Sequence, residues 1–563
     1  MRIFNNLVFA SVFTLVLLFS MVGFFVILAF FLTGALSLIF AIAFIILFNF
    51  ILFFISPILM DLMLRFLYKS EEVKLDAFIS RIGRPAEVIH RVMAEKKYIN
   101  IRNVYIINDN TPTAFTYGSL PSEARLAVSR GLLEMLNEDE IEIVLAHELG
   151  HIANLDFIIM TIAQTIVEIF YVIYTSLLKS AKSGAQSSRG SKKGGGILFI
   201  LLFAILAYSF YVISRYVVLY LSRVREYYAD EFAVKHTRKP KSLAMALIKI
   251  AYGLGIAPPE QWNKFKGLEA LCISSPTSFV IKPSNNPDDF IKYTDFDFKS
   301  PWASLVELDA THPLIGKRVK RIYEVGIEMG LIDRLPKDIA NVKEHVVKAN
   351  PAVIGLYILA MPLFIVCAYI LSFIIGLVGV FAAGAVGAGI ALMILAGAVG
   401  ISIIAKGILQ FLRYADRNEH QLEELLMDET ASPVQGKALS IEGTALGRGE
   451  AGFLLSTDLY VRTKENVFLL VKTGFAIPIL NFVIGILRIF RMEKLLGQDV
   501  RIKGWFFRGN GYWIDGDKIE FKIGDKWENL MGIGAIINGL LYLVTGGFVI
   551  VLALFAPLLL LVL

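Results

Sequence analysis

Seven runs of apolar residues, at about 7–32, 35–60, 157–178, 197–221, 352–377, 379–405 and 535–562, set the class of fold before any other feature. Each meets or exceeds the roughly 20 residues that an α-helix needs to cross the hydrocarbon of a bilayer. In lipid a segment must satisfy its own backbone hydrogen bonds, so these runs read as membrane helices rather than as parts of a soluble core. The balance of the chain agrees, with 56% hydrophobic residues among 563 and a mean hydropathy of +0.64. The first run is too long for a signal-peptide core and is joined to the second by Thr33-Gly34, so residues 1–60 read as an uncleaved transmembrane hairpin. Arg65, Lys69 and Lys74 follow it. The excess of basic residues on cytoplasmic loops then predicts a multi-pass protein of the cytoplasmic membrane with the domain that follows the hairpin on the cytoplasmic side. The segment 179–196, with five basic residues and no acid, would lie outside if 157–178 and 197–221 both cross. Crossing is the favoured reading because the other basic clusters share one side, and a re-entrant hairpin stays open.

Chemistry enters at Ile141–Asp156, IEIVLAHELGHIANLD. Residues four apart share a helix face, so His147 and His151 can offer two imidazole nitrogens to one metal ion while Glu148 projects beside them. Gly150 between them lets another backbone or a substrate come close. Two ligands leave a site incomplete. The third candidate is Glu226 in SRVREYYADEFAV, with Asp230 four residues on and so on the same face. Alone, Glu226 would read as a solvated carboxylate among Arg223 and Arg225. Paired with Asp230 and the HExxH helix it reads as a ligand, with Asp230 bonding a ligand imidazole and fixing its tautomer.

The runs GLLEMLNEDEIEIVLAHELGHIANLD, SRVREYYADEFA and THPLIGKRVKRI, in this order, resemble the HtpX-like membrane zinc metalloproteases, relatives of the Ste-type CAAX prenyl proteases. The resemblance extends from the first apolar segments to about Leu331. It implies one zinc ion (Zn2+) per chain held by His147, His151 and Glu226, with Glu148 as general base and Asp230 behind the ligands. It also implies that His312 and Arg318, in the HPxxxxR pattern, contact the substrate or the developing oxyanion. TAFTYG occupies the place of the family's Asn-Ala-Phe edge strand, with Thr113 where Asn is usual. Thr113, Ala114, Phe115 and Thr116 are thereby implied to hold substrate backbone by strand addition.

Because the candidate ligands flank the apolar pair at 157–221, residues 61–350 must fold as one gluzincin-like α+β metalloprotease domain interrupted by that pair. The pair starts a few residues after the HExxH helix, which puts the site at the membrane surface. Within it, Gln164 and Glu168 should face protein or water, since a carboxylate at bilayer depth is costly. The irregular stretch 265–305 reads as a lid, a docking loop or disorder. Residues 351–405 read as a second transmembrane hairpin whose Gly/Ala-rich second half suits close packing in a bundle or a homo-oligomer. Strand-like runs and turn glycines over 406–530 predict a small soluble β-barrel, with the OB type as candidate. The apolar stretch Thr473–Leu487 is short for a span and reads as core or membrane-surface packing, and 531–563 as a final helix. Two cysteines, Cys272 and Cys367, are too few and too differently placed for a disulfide framework.

The function expected is an integral-membrane zinc endopeptidase acting on misfolded or unassembled membrane proteins, with Glu148 moving the proton from water to the leaving amine. A CAAX-type prenyl-peptide protease is the alternative enzyme. A catalytically idle zinc-binding scaffold is the alternative outside enzymes, but a structural site has no use for Glu148. A transporter lacks support, since no paired broken helices appear. Polypeptides and the bilayer are the expected partners. A net charge of +6 spread along the chain suits anionic headgroups, and no basic-aromatic stripe points to nucleic acid.

Overall fold

A computed structural model describes residues 15–23, 36–187, 194–255, 294–336, 350–383, 385–414, 416, 418–448, 458–464, 467–472, 496–509, 511–523, 526–531 and 535–562. Cys272, Arg417, Thr473–Leu487 and the 265–305 stretch up to residue 293 lie outside them.

Residues 15–23 are helical, and α1 (Leu36–Phe66) follows. Pro57 inside α1 has no N–H, which leaves the Phe53 carbonyl without its usual donor. The Ser119 hydroxyl donates to that carbonyl at 2.6 Å, so the gap in the helix becomes an attachment point for the soluble domain. Eight residues further along the helix, Asp61 accepts from the Tyr117 hydroxyl at 2.7 Å and pairs with Arg125 Nε at 3.0 Å. Beside this pair Leu64 joins Tyr105, Ile107, Phe115 and Ala127 in an apolar cluster.

The soluble domain is built on four strands, β1 (Glu71–Lys74), β2 (Ile101–Ile107), β3 (Ala114–Tyr117) and β4 (Ala124–Ser129), in the order β1-β2-β4-β3. Only β2 and β4 run parallel. The TAFTYG strand, β3, is therefore an edge, as its position suggested. β1, a four-residue EEVK segment, is too short and polar to stand out as a strand in the sequence. Helices α2 (Leu75–Ile82), α3 (Glu87–Glu95), α4 (Arg130–Met135) and α5 (Glu138–Ala153) complete this part.

Next come α6 (Asp156–Ser187), α7 (Gly194–Thr237) and α8 (Pro240–Gly255). α6 runs on through Ser187 into the basic segment 179–196, of which only 188–193 lie outside the described residues. α7 is 44 residues in one helix, about 66 Å at 1.5 Å per residue, and it carries the apolar run and Glu226 on one rod. Helices α9 (Asp295–Lys299), α10 (Ala303–Glu307) and α11 (Ile315–Glu328) close the domain. Its core brings Ile143, Val144 and Leu149 of α5 against Ala233, Leu247, Val319 and Ile322.

The apolar run expected as one span at 352–377 is broken. α12 (Pro351–Ala360) and α13 (Pro362–Ala383) meet at 67°. Pro362 is the cause: it disfavours helical backbone at Met361, which is extended at φ −70° and ψ 145°. α14 (Ala385–Leu412) runs past the expected end at 405. Its Gly400 stacks on Gly546 of the last helix, where a Cβ on Gly546 would lie 2.7 Å from Ile404 Cγ1 and 3.0 Å from the Gly400 carbonyl oxygen. The Gly/Ala-rich face thus finds a partner within the chain. Among the described residues, four helices are long and apolar enough to cross a membrane, or five if the bent pair counts as one span.

After α15 (Leu422–Met427) come β5 (Lys437–Arg448), β6 (Leu459–Thr463), β7 (Phe468–Lys472), β8 (Asp499–Arg508), β9 (Tyr512–Ile523) and β10 (Lys526–Met531), then α16 (Ala535–Val562). Strands β5-β6-β7-β9-β8 pair in a ring that closes back on β5, with β7 and β9 parallel and β10 added outside β9. This is a five-stranded barrel of the OB type, filled by Ile441, Val461, Leu469, Val471, Ile502, Phe506, Ile514 and Phe521.

The join between α1 and the sheet rests on a nearly buried pair, with Arg125 and Asp61 side chains 8% and 16% exposed. Arg125→Met removes one partner and is expected to cost about 3 kcal/mol. The measurement is thermal unfolding of the detergent-solubilised protein, and adding Asp61→Asn should recover part of the loss.

Candidate metal centre

α5 begins with a reciprocal cap: the Asn137 side chain accepts from Glu140 N at 2.9 Å and Glu140 Oε2 accepts from Asn137 N at 2.9 Å. The helix then crosses α7 at very close range. A Cβ on Gly150 would lie 3.1 Å from Ala229 Cα and 3.2 Å from Phe232 Cβ, so the crossing needs glycine at this position. That approach sets His147 and His151 opposite Glu226.

The three side chains converge. His147 Nε2 and His151 Nε2 are 3.2 Å apart, and each lies 3.7 Å from a Glu226 carboxylate oxygen. Two ligand atoms about 2.1 Å from a tetrahedral zinc would be about 3.4 Å apart, so the spacing fits. His147 Nδ1 faces Asp230 Oδ1 at 3.0 Å, and His151 Nδ1 faces Asp156 Oδ2 at 2.6 Å. Each ring therefore turns its Nε2 to the shared point, and the carboxylates fix that choice of tautomer. The charge balance fits a cation as well. Four buried carboxylates, Glu148, Asp156, Glu226 and Asp230, face two buried guanidinium groups, Arg225 and Arg318. Glu148 Oε1 is buried without a hydrogen bond, while Glu226 Oε2 has Arg318 Nη1 as an ion-pair partner at 3.1 Å. Burial alone would lower the His151 pKa, yet Asp156 and Glu226 outweigh it and hold the ring at about 9, so the pocket draws positive charge.

Glu148 is buried beside the ligands and accepts from the Thr116 hydroxyl at 3.2 Å. Burial pushes its carboxyl pKa up. A cleft of about 330 Å³ opens onto Glu148, His151 and Glu226, and its walls include Pro57 and Met60 of α1 and Met160 and Gln164 of α6. Glu168, one turn beyond Gln164, is exposed. The other residues singled out from sequence divide. Thr113, Ala114, Phe115 and Thr116 are buried, with Thr116 at the cleft wall. His312 Nδ1 is 3.3 Å from Glu226 Oε1. Arg318 does not face the cleft: wholly buried, it grips both Asp230 oxygens at 2.7 and 2.9 Å and lies 3.1 Å from Glu226 Oε2.

Two contributors have no counterpart in the sequence reading. Asp156 reaches His151 because Leu155 adopts a left-handed φ of 60°, which turns the chain sharply between α5 and α6. Arg225, to which the sequence reading gave no role at the site, is buried with Nη2 2.5 Å from Asp156. An acid five residues after the second histidine was the only available signal for the first. Gly150→Val should push α5 from α7 and loosen metal binding by about 10-fold or more, read by chelator competition, with secondary structure intact.

The sequence profile of Peptidase family M48 matches residues 81–325. A protease HtpX homolog of Pyrococcus furiosus is 32% identical over 268 residues, covering 47% of this chain and 82% of that protein. Protease HtpX homolog 2 of Methanosarcina mazei is 31% identical over 227 residues, covering 40% and 67%. A crystal structure of S. mikatae Ste24p aligns at 16% identity with a TM-score of 0.33, covering 57% of this chain and 66% of that one. With the HExxH helix, its cluster of possible metal ligands and its apolar helices, the chain belongs to peptidase family M48, among the HtpX-like membrane metalloproteases.

Proposed function

We propose that the chain is a zinc endopeptidase that cuts misfolded or unassembled membrane proteins at the cytoplasmic face of the membrane. The observation that carries this reading is the convergence of His147, His151 and Glu226 on one point beside the buried carboxyl of Glu148. When bound there, a zinc ion supplies the Lewis acidity that makes a peptide carbonyl open to attack.

The protein's own groups do the rest. Glu148, its basicity raised by burial, takes a proton from the attacking water and passes it to the leaving amine. Thr116 holds the carboxylate of Glu148 in place through its hydroxyl. Asp230 and Asp156 keep the Nδ1 protons of the two ligand imidazoles. Arg318 is a positioning residue, because its guanidinium is spent on Asp230 and Glu226. His312, next to Glu226, is the better placed of the two candidates to meet an oxyanion. β3, an edge strand along the cleft, offers its free backbone side to an extended peptide, which suits a protease of broad sequence tolerance. The cleft walls on α1 and α6 favour substrates already at the membrane, and Arg65, Lys69 and Lys74 favour the cytoplasmic side.

Glu148→Gln should retain bound zinc and cleave an unfolded membrane protein at least about 100-fold more slowly than wild type. Chelation should abolish wild-type cleavage and zinc should restore it. Equal cleavage by wild type and variant defeats the proposal.

A further inference from the structure

The C-terminal barrel has no part in the chemistry above, yet a continuous set of contacts joins it to the metal centre. The link is a strap, residues 294–311, that lies between the barrel with its neighbouring helices on one side and α11 on the other.

On the barrel side, the Arg508 guanidinium stacks 4.0 Å from the Phe296 ring centre, and Arg508 itself is buried. It is anchored from its own side, with Arg508 N donating to the Ser432 carbonyl at 3.1 Å. Lys299 joins Asp295 at 2.5 Å to Glu429 at 3.2 Å. Phe296, Trp302 and Ala303 of the strap share an apolar cluster with Val353, Leu409 and Val434, and Trp302 meets Tyr357 edge to face at 5.5 Å.

On the other side the strap caps α11 from outside. No side chain of the N-cap residue, Leu314, serves this helix start. Asp297 Oδ2 accepts from Gly316 N at 2.8 Å and Glu307 Oε1 from Leu314 N at 3.0 Å, so two first-turn donors are satisfied by the strap. Gly316 admits this approach because a Cβ there would sit 2.9 Å from Asp297 Oδ2. Arg318, two residues on, grips Asp230 and Glu226. The end of the strap is tied to α7, where Arg223 Nη1 donates to the carbonyls of Glu307 and Ala310, each at 2.8 Å, and Ser222 Oγ to that of Thr311 at 2.9 Å. His312 follows directly.

We infer that the C-terminal barrel is a clamp that holds the strap against α11 and so fixes Arg318 and His312, making Arg508 and Asp297 positioning residues for the peptidase centre. The inference rests on the peptidase reading for its activity readout alone. The surroundings of Asp297 support it. Burial lifts its carboxyl pKa to about 6, while Arg508, the Gly316 N–H and Lys317 pull it down and Glu307 pushes it up. Tyr512 packs close by on the barrel side. Arg508 therefore helps keep Asp297 ionised as a strong acceptor for α11.

The test uses the full chain in detergent and compares Arg508→Ala, Arg508→Lys and Asp297→Asn with wild type. In Arg508→Ala, amide hydrogen exchange over 314–319 should quicken about 10-fold or more while α5 stays protected. The acid limb of kcat/KM should move up by about one pH unit, and Arg508→Lys should restore both. Wild-type exchange and an unmoved acid limb in Arg508→Ala overturn the clamp. If that variant also loses protection throughout the barrel, Asp297→Asn decides from the other end, since it must quicken 314–319 with the barrel intact. If wild type cleaves nothing, the peptidase reading falls and the exchange data alone judge the clamp.

Discussion

The structure depends on how closely two helices approach. α5 carries two imidazoles and a carboxylate, α7 carries two carboxylates, and their crossing at Gly150 and Ala229 brings ligand atoms of His147, His151 and Glu226 within 4.8 Å of one another. Such a gathering of acids is costly in a protein interior unless positive charge meets it. Arg318 supplies part of that charge from behind and Arg225 from the cleft wall, each sitting on a carboxylate. What remains uncompensated points at the space between His147, His151 and Glu226. The arrangement makes sense as a socket for a divalent cation.

The membrane enters this socket through continuity of helices. α7 is one helix from the apolar run to Asp230, and α6 starts with Asp156, which holds His151. The two elements that bound the bilayer side of the site therefore also set its ligand geometry. α1 is tied in twice, through the carbonyl that Pro57 frees and through Asp61. Pro57 and Met60 of α1 and Met160 of α6 line the same cleft as Glu148. The cleft that reaches the chemistry is thus bounded by the apolar helices α1 and α6.

Legibility from sequence followed the range of the forces involved. His147, Glu148, His151, Glu226 and Asp230 could be paired because helix periodicity fixes which residues share a face, and the structure brings them together. β3 as an edge came from the place of TAFTYG in the family resemblance, whereas the closed barrel was readable from short apolar alternation and turn glycines. Asp156 was not, because its contact depends on the positive φ of Leu155, a backbone choice that nothing in a Leu codes for. Arg318 read as a substrate contact from its motif, whereas only the tertiary fold reveals that Asp230 and Glu226 already occupy it. The break at Pro362 was visible as a proline but not as a 67° bend, since a proline in an apolar run is often absorbed as a mild kink. Links across the long strap to the barrel carry no periodic signature at all.

The most direct measurement of the central claim is zinc K-edge X-ray absorption on the purified full chain loaded with one equivalent of metal. A single shell of nitrogen and oxygen ligands at about 2.0–2.1 Å, with outer-shell scattering from two imidazoles that persists while the carboxylate contribution is lost in Glu226→Ala, is the predicted result. A shell containing sulfur, fewer than two imidazoles, or a spectrum indifferent to Glu226 would contradict it.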